Sequence, residues 1–328
     1  MPIIELKNIH VEFPLDDGRV LHASRNVSLD FSPGEIVAVV GESGCGKSTI
    51  GKVALGVLKP KSGEVILDGE DIWASSFKWT PEKRSIVQVI HQDPFASLNP
   101  VRTIWETLSA PLAVAKSRGL LPADSDLRQE AQRLLDLVGL TPADFYLEKY
   151  PFQLSGGQKQ RVSIARSTIM KPKLVLADEP VSAVDASMRL AILDLMRELC
   201  EKEGISFLYV THDLATARYF ARDGRIVVMY LGEIIETGGI IDVLDEPLHP
   251  YLKALLTAIP VPDPRKAKVK RELPLKSYDV PSPIDLPPGC VFRPRCPEAI
   301  EQCAKERPCL RPLGAKGHLV ACHVAKSK

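Results

Sequence analysis

Residues 35–58 read EIVAVVGESGCGKSTIGKVALGVL. The apolar run Ile36–Val40 has strand length and no polar interruption, the pattern of a strand buried on both faces. The next eight residues, GESGCGKS from Gly41 to Ser48, fit G-x-x-x-x-G-K-[ST] at every fixed position. Glycines there let backbone N–H groups wrap closely around phosphates. A helix that begins where such a loop ends turns its partial positive charge on the same anion. Lys47 adds a full charge for the β- and γ-phosphates, and Ser48 adds a hydroxyl for Mg²⁺. Cys45 fills one of the free positions. A helix N-terminus lowers a thiol pKa, which suggests a redox-sensitive residue, and a small spacer is the plainer role. Strand, phosphate loop and helix together predict an α/β nucleotide-binding protein.

A second strand supports this. In KPKLVLADEP, residues 171–180, an apolar run ends in Asp178 and Glu179. Carboxylates at the carboxyl end of a parallel strand lie where α/β folds place their chemistry. Asp178 is expected to hold Mg²⁺, mostly through water, and Glu179 to polarise the attacking water beside the γ-phosphate.

Composition sets the surroundings. The chain has 328 residues, 45% hydrophobic and 25% charged, enough for a sizeable core and a second, smaller domain. A net charge of +1 argues against a polyanion such as nucleic acid as the main partner. No apolar run approaches the roughly 18 residues that span a bilayer. The opening MPIIELKNIHVEF is broken by Glu5, Lys7 and Glu12 and has no cleavage site, so it does not read as a signal peptide. The expected compartment is the cytosol, where thiols stay reduced. Twenty-seven prolines are unevenly spread, and Pro260 to Pro288 reads as a linker or extended arm. A boundary is expected near Pro247–Pro260, and no repeat of solenoid period is present.

Between the two strands stands QLSGGQKQRVSIARS, residues 153–167. LSGGQ followed by a basic helix, together with the phosphate loop and the acidic strand end, resembles the nucleotide-binding subunit of ABC transporters. The resemblance covers roughly residues 1 to 245, with every expected motif in order. It implies a P-loop NTPase (RecA-like) ABC cassette over 1–246, with an antiparallel β subdomain and a helical subdomain over about 93–158 that docks on a permease. The stretch DLRQEAQRLLDLVGL, with apolar residues at helical spacing and Gly139 near its end, lies in that subdomain. A Cys-rich C-terminal extension follows over 247–328.

The family's functional positions carry over one at a time. Gly41, Ser43, Gly44, Cys45, Gly46, Lys47, Ser48 and Thr49 are the implied phosphate contacts. Phe13 matches the aromatic that stacks on adenine, although it also fits the inward alternation of a strand. Gln92 in IHQDPFASLNP matches the glutamine that ligates Mg²⁺, with Ser48 and Asp178, and reports on the membrane partner; Gln88 reads as structural. Ser155, Gly156, Gly157 and Gln158 open the helix that contacts the γ-phosphate of ATP held by the other subunit. Asp185 in EPVSAVDAS couples the two ATP sites, and His212 in FLYVTHDLA contacts the γ-phosphate and orients the water and Glu179.

The wording of GESGCGKST, HQDPFASLNP, EPVSAVDAS and HPYLKALLTAIPVPDP looks like the dipeptide/oligopeptide importer ATPases. That branch implies a second, paralogous ATPase as heterodimer partner, two permeases, an external solute-binding protein acting indirectly, and a peripheral place on the cytoplasmic face of the membrane. Some relatives import oligosaccharides or nickel. Two other readings compete. ABC ATPases of DNA repair or translation usually carry two cassettes or a coiled-coil insertion, and this chain has neither; a P-loop kinase would not need LSGGQ or the histidine at position 212.

Five of the seven cysteines lie between Cys290 and Cys322. In a reduced compartment such clustering points to metal rather than disulfides. The spacing Cys290-x₅-Cys296-x₆-Cys303-x₁₈-Cys322 lacks paired C-x₂-C knuckles. Importers of the branch, however, often end in the pattern seen here as CVFRPRCP and ACHV, and some carry a [4Fe–4S] cluster there. That resemblance implies Cys290, Cys296, Cys303 and Cys322 as ligands, leaves out Cys309, and keeps Zn²⁺ as the alternative. The tail is expected to have too little apolar surface for its own core, so that a metal would act as its staple.

Overall fold

The computed structural model describes residues 1–259, 272–314 and 317–326. In chain order its elements begin β1 (Ile4–Pro14), β2 (Val20–Phe31), β3 (Ile36–Val40), α1 (Lys47–Ala54), β4 (Ser62–Leu67), β5 (Glu70–Asp71), α2 (Pro81–Ser85), β6 (Val87–Ile90) and α3 (Pro94–Ser97). They continue with α4 (Ile104–Ser117), α5 (Leu127–Leu137), α6 (Ala143–Leu147), α7 (Gly156–Thr168), β7 (Leu174–Asp178), α8 (Ala186–Glu203), β8 (Ser206–Thr211), α9 (Leu214–Phe220) and β9 (Arg225–Tyr230). The last are β10 (Glu233–Gly239), α10 (Ile240–Asp245), α11 (Pro250–Ala258), α12 (Gln302–Lys305), β11 (Arg311–Pro312) and β12 (Leu319–Val320). They fall into two compact units, one of Met1–Ile4, Asp30–Ile36 and Leu67–Val210, the other of Glu5–Leu29, Val37–Ile66 and Thr211–Lys328.

In the first unit, β8, β7 and β6 are neighbouring parallel strands. Leu174–Ala177 of β7 and all of β8 are buried, as expected of strands covered on both faces. Helices α4, α5 and α6, in the stretch expected to be helical, pack on one another, and α4 and α5 also pack on α7, which runs beyond that stretch to Thr168. Ala131, Leu134, Leu135 and Val138 form the buried stripe of α5, at the i, i+3, i+4, i+7 spacing of one helix face. Gly139 ends this helix in the left-handed region at φ +71°, while the Leu140 N–H donates to the Leu135 carbonyl at 2.8 Å.

In the second unit, β2, β1 and β4 lie side by side, and the short connection of residues 15–19 makes β1 and β2 antiparallel neighbours. A second run there reads β11-β12-β10-β9-β3. Within it β3 and β9 are parallel, with Val40 opposite Val228, and the other pairs are antiparallel.

The C-terminal extension departs from the expectation of a tail without apolar cover. Its strand β12 pairs with β10, and Val320, Cys322 and Ala325 form a buried cluster with Leu248. Phe292 is buried at ring-centroid distances of 5.3 Å from Tyr230, 5.6 Å from Tyr251 and 5.5 Å from His249. The tail therefore completes a core supplied by β9, β10 and α11 and needs no metal as its only staple. The part of the expected linker at positions 260–271 lies outside the described residues; residues 272–288 are irregular, and Pro283 accepts a hydrogen bond from the His22 N–H at 3.0 Å.

Candidate functional site

The phosphate loop in the second unit is shaped by close backbone approach. Because Val40 lies opposite Val228, the next residue, Gly41, meets the next peptide of β9: a Cβ at Gly41 would stand 2.3 Å from the Met229 carbonyl oxygen. A Cβ at Gly46 would stand 2.2 Å from the Ala23 carbonyl oxygen. Both glycines also have positive φ, +155° and +100°, so no other residue fits without moving the backbone. Gly46 caps α1, and Lys47, its first residue, is 6% exposed. Lys47 Nζ donates to the Gly41 carbonyl at 2.8 Å and to the Glu42 carbonyl at 2.9 Å. Ser43 and Gly44 are exposed, and Ser48 and Thr49 half-buried, on the loop and the first turn of α1. Cys45 is buried, and desolvation pushes its thiol pKa up, against the effect of Lys47. Burial of this kind favours the plainer role of a small spacer in the loop.

Phe13 belongs to the same unit. It shares the strand face of Ile9 and Val11, yet it is 39% exposed because it lies beyond their cover at the end of β1. The ring is thus available for stacking. His212 follows β8 and is also exposed. The next residue, Asp213, caps α9 by accepting from the Ala215 N–H at 2.8 Å.

In the first unit the carboxylate strand end and the glutamine are brought together by register. Ile90 of β6 pairs with Ala177 of β7, so Gln92 and Glu179, each two residues on, emerge side by side. Gln92 Nε2 donates to Glu179 Oε2 at 3.2 Å. Glu179 has φ +46°, a strained conformation for a residue with a side chain, and its N–H donates to the Val210 carbonyl at 2.9 Å. Asp178 closes β7 just before it. Gln88 donates to the Arg84 carbonyl at 3.3 Å, a structural bond.

Ser155 opens α7 with a capping box: its Oγ accepts from the Gln158 N–H at 3.3 Å, and Gln158 Oε1 accepts from the Ser155 N–H at 2.9 Å. A Cβ at Gly156 would stand 3.2 Å from the Ala183 carbonyl oxygen, and one at Gly157 would touch Val184 and Met188. The glycine pair thus packs on the segment that leads through Asp185 into α8. Asp185 takes the N-cap place of α8 without a side-chain capping bond.

Two partners of the phosphate loop escape a reading of motifs. Tyr251 Oη accepts from the Glu42 N–H at 2.9 Å, and Arg295 Nη1 and Nη2 donate to the two Glu42 carboxylate oxygens at 2.8 and 3.1 Å. The only sequence signal was an acid at the second loop position and an arginine inside CVFRPRCP.

The five cysteines of the tail are free of disulfides; Cys290, Cys296, Cys303 and Cys322 are buried while Cys309 is exposed. The Cys290 N–H donates to the Cys303 carbonyl at 2.9 Å. Burial pushes the Cys290 thiol up to about 11 and Cys296 up to about 12, and Cys322 rises too. Each of these three is raised a little further by another of the four buried cysteines. Among the described residues, no three His, Cys, Asp or Glu side chains stand in an arrangement that would hold a metal. The donor chemistry fits a thiolate-ligated group; the arrangement is not that of a ligand shell.

Residues 24–182 match the ABC transporter family, and residues 235–303 match the family described as oligopeptide/dipeptide transporter, C-terminal region. The chain is 39% identical to the oligopeptide transport ATP-binding protein OppF of Salmonella typhimurium, across 98% of this chain and 95% of that protein. The chain belongs to the ABC transporter ATPases of the oligopeptide/dipeptide branch. The putative oligopeptide transport ATP-binding protein YkfD of Bacillus subtilis is 39% identical across the whole of this chain and 97% of its own. A putative peptide import ATP-binding protein of Brucella ovis is 41% identical over 90% of each. Among solved structures, the dimeric post-hydrolysis state of the ATP-binding cassette MJ0796, bound to ADP and Pi, is similar with TM-score 0.62 and 31% identity, over 72% of this chain and 98% of that one. The cassette cbiO1 from Clostridium perfringens gives TM-score 0.61 and 26% identity, over 75% of this chain and 91% of its own. These cassettes share the α/β P-loop fold, with its antiparallel sheet and helical parts. Among the described residues no helix is long and apolar enough to cross a membrane.

Proposed function

We propose that this ABC ATPase hydrolyses ATP to power an importer of peptides. The observation that carries the reading is the phosphate loop, where Gly41 and Gly46 admit no side chain and Lys47 is buried within the cradle. Gly41 and Ser43 to Thr49 bind the phosphates, Lys47 supplies charge, and Phe13 stacks on adenine. Ser48, Gln92 and Asp178 offer the hard oxygen ligands that Mg²⁺ prefers, and the ion would neutralise phosphate charge. Glu179 acts as general base for the attacking water, with His212 orienting it. The hydrogen bond from Gln92 ties the base to the residue that senses the permease.

The helix start at Ser155–Gln158 serves ATP held by a second, paralogous ATPase subunit, and Asp185 couples the two sites. Closure of that pair on ATP, and release on hydrolysis, is read by two membrane permeases on the cytoplasmic face. An external solute-binding protein acts indirectly. The cassette spans 1–246, its helical subdomain about 93–158, and the extension 247–328. The relatives' names favour peptides over oligosaccharides as the solute. Affinity purification of the tagged chain from membranes tests this: two polytopic proteins and a second ATPase are expected. Recovery with ribosomes or a DNA-repair complex instead would overturn the transport reading.

For the tail we propose a [4Fe–4S] cluster on Cys290, Cys296, Cys303 and Cys322. What supports it is four buried, free thiols of which three are each raised by another of the set. Raised thiols must lose protons to ligate, so loading should weaken as pH falls. Anaerobic purification followed by iron, sulfide and zinc analysis decides: four irons per chain are expected, and zinc without iron replaces the cluster with the alternative.

A further inference from the structure

We propose that Arg295, in the C-terminal extension, is a positioning residue for the phosphate loop, acting as the counter-ion that lets the acidic Glu42 sit in an anion-binding cradle. The proposal rests on the ATP-binding reading above and extends it to a residue outside the nucleotide-binding motifs.

Glu42 occupies the second position of GESGCGKS, beside a loop whose task is to attract phosphate. An uncompensated carboxylate there would repel the ligand, and in partly buried surroundings that repulsion is weakly screened. Arg295 meets the carboxylate with both terminal nitrogens, at 2.8 and 3.1 Å, the fork geometry that a guanidinium alone provides. Only 6% of the Arg295 side chain and 29% of the Glu42 side chain is exposed.

The guanidinium is held from its other side as well. Nη1 reaches Tyr230 Oη at 3.4 Å, and the group lies 5.7 Å from the Tyr230 ring centre and 5.9 Å from that of Phe292. Its place is thus set by the aromatic cluster of the tail and β9. The rest of Glu42 is tied too: its N–H goes to Tyr251 Oη and its carbonyl accepts from Lys47 Nζ. Arg295 therefore reaches the lysine of the loop through one residue. An ordinary solubilising arginine would not be bidentate, nearly buried and within 6 Å of two aromatic ring centres.

The test is equilibrium binding of ATP to the full chain in the variants R295M, E42Q and E42Q/R295M. R295M is expected to weaken ATP binding about tenfold, because it leaves the carboxylate bare. E42Q should stay within about threefold of wild type, and E42Q/R295M should recover to that level, because the charge that needed a partner is gone. A merely structural arginine would show no such rescue. If R295M does not fold, as judged by circular dichroism, R295K serves: a point charge replaces the fork, a loss of about threefold is expected, and E42Q should again remove it. Unchanged affinity in the arginine variants, or a loss that E42Q does not relieve, overturns the proposal. Failure of the ATP-binding reading looks different: wild-type protein would not bind ATP, or K47A would bind it equally well.

Discussion

Gln92 and Glu179 share a hydrogen bond, Nε2 to Oε2 at 3.2 Å, because β6 and β7 run parallel with Ile90 opposite Ala177. An uncharged amide donor thus holds a carboxylate whose backbone is already strained at φ +46°. The pair predicts the behaviour of Glu179→Gln. The substitution keeps shape and removes the carboxylate proposed as general base, so ATP binding should persist while turnover falls roughly a hundredfold or more. Assembled complex in vesicles, assayed for phosphate release and for bound ATP, provides the check. Normal turnover would remove Glu179 from the chemistry.

The capping box at Ser155 gives a second prediction. If the start of α7 serves ATP on another subunit, the isolated chain should be a poor ATPase that speeds up when its partner is added. Ser155→Ala should also destabilise the chain by about 1 kcal/mol through the lost cap. Urea unfolding measures the cap, and phosphate release as a function of chain concentration measures the sharing. A dilute single chain as active as the assembled complex would exclude a shared site.

His249 predicts the response to acid. It is fully buried, its Nδ1 accepts from the Tyr251 N–H at 3.0 Å, and burial, helped by the charge of Lys253, lowers its pKa from 6.5 to about 3. Above the unfolded value neither state carries the proton, and the residue's contribution to stability is intact. Below it the unfolded chain gains a proton that the folded chain refuses. Stability should fall by about 1.4 kcal/mol per pH unit from this group between the two values. His249→Asn keeps a capping acceptor without the titration, so denaturant unfolding between pH 7 and pH 4 should show a shallower acid loss by one proton.

Phe292 anchors the extension. Its ring is 1% exposed and packs on Tyr230, Tyr251 and His249. Phe292→Ala should cost about 3–5 kcal/mol and expose the tail to protease. Denaturant unfolding and limited proteolysis measure the two effects, and a loss below 1 kcal/mol, the ordinary level for surface changes, would mean that the tail is held elsewhere.

Much was legible in residue order alone. Local patterns carry their own physics: an apolar run into GESGCGKS specifies strand, loop and helix because glycine, lysine and serine each have one use there. LVLADE and LSGGQ likewise placed Glu179 at a strand end and Ser155 at a helix start. The exposure of Phe13 was not legible, since alternation marks the face of a strand but not where the cover over that face stops.

Contacts across long sequence separations came only with the tertiary structure. Gln92 meets Glu179 across 87 positions by parallel register, and Arg295 meets Glu42 across 253. Neither distance is encoded locally, because register depends on how whole strands pair. The tail shows the same division. Its cysteines announced themselves by clustering, whereas its attachment through β12, Val320 and Phe292 depended on β9, β10 and α11 offering an unfilled core. Sequence by itself therefore determined the chemistry this chain can perform at each motif. Tertiary structure decided which distant side chains hold those motifs in place, because burial and pairing are properties of the assembled core and not of any one segment.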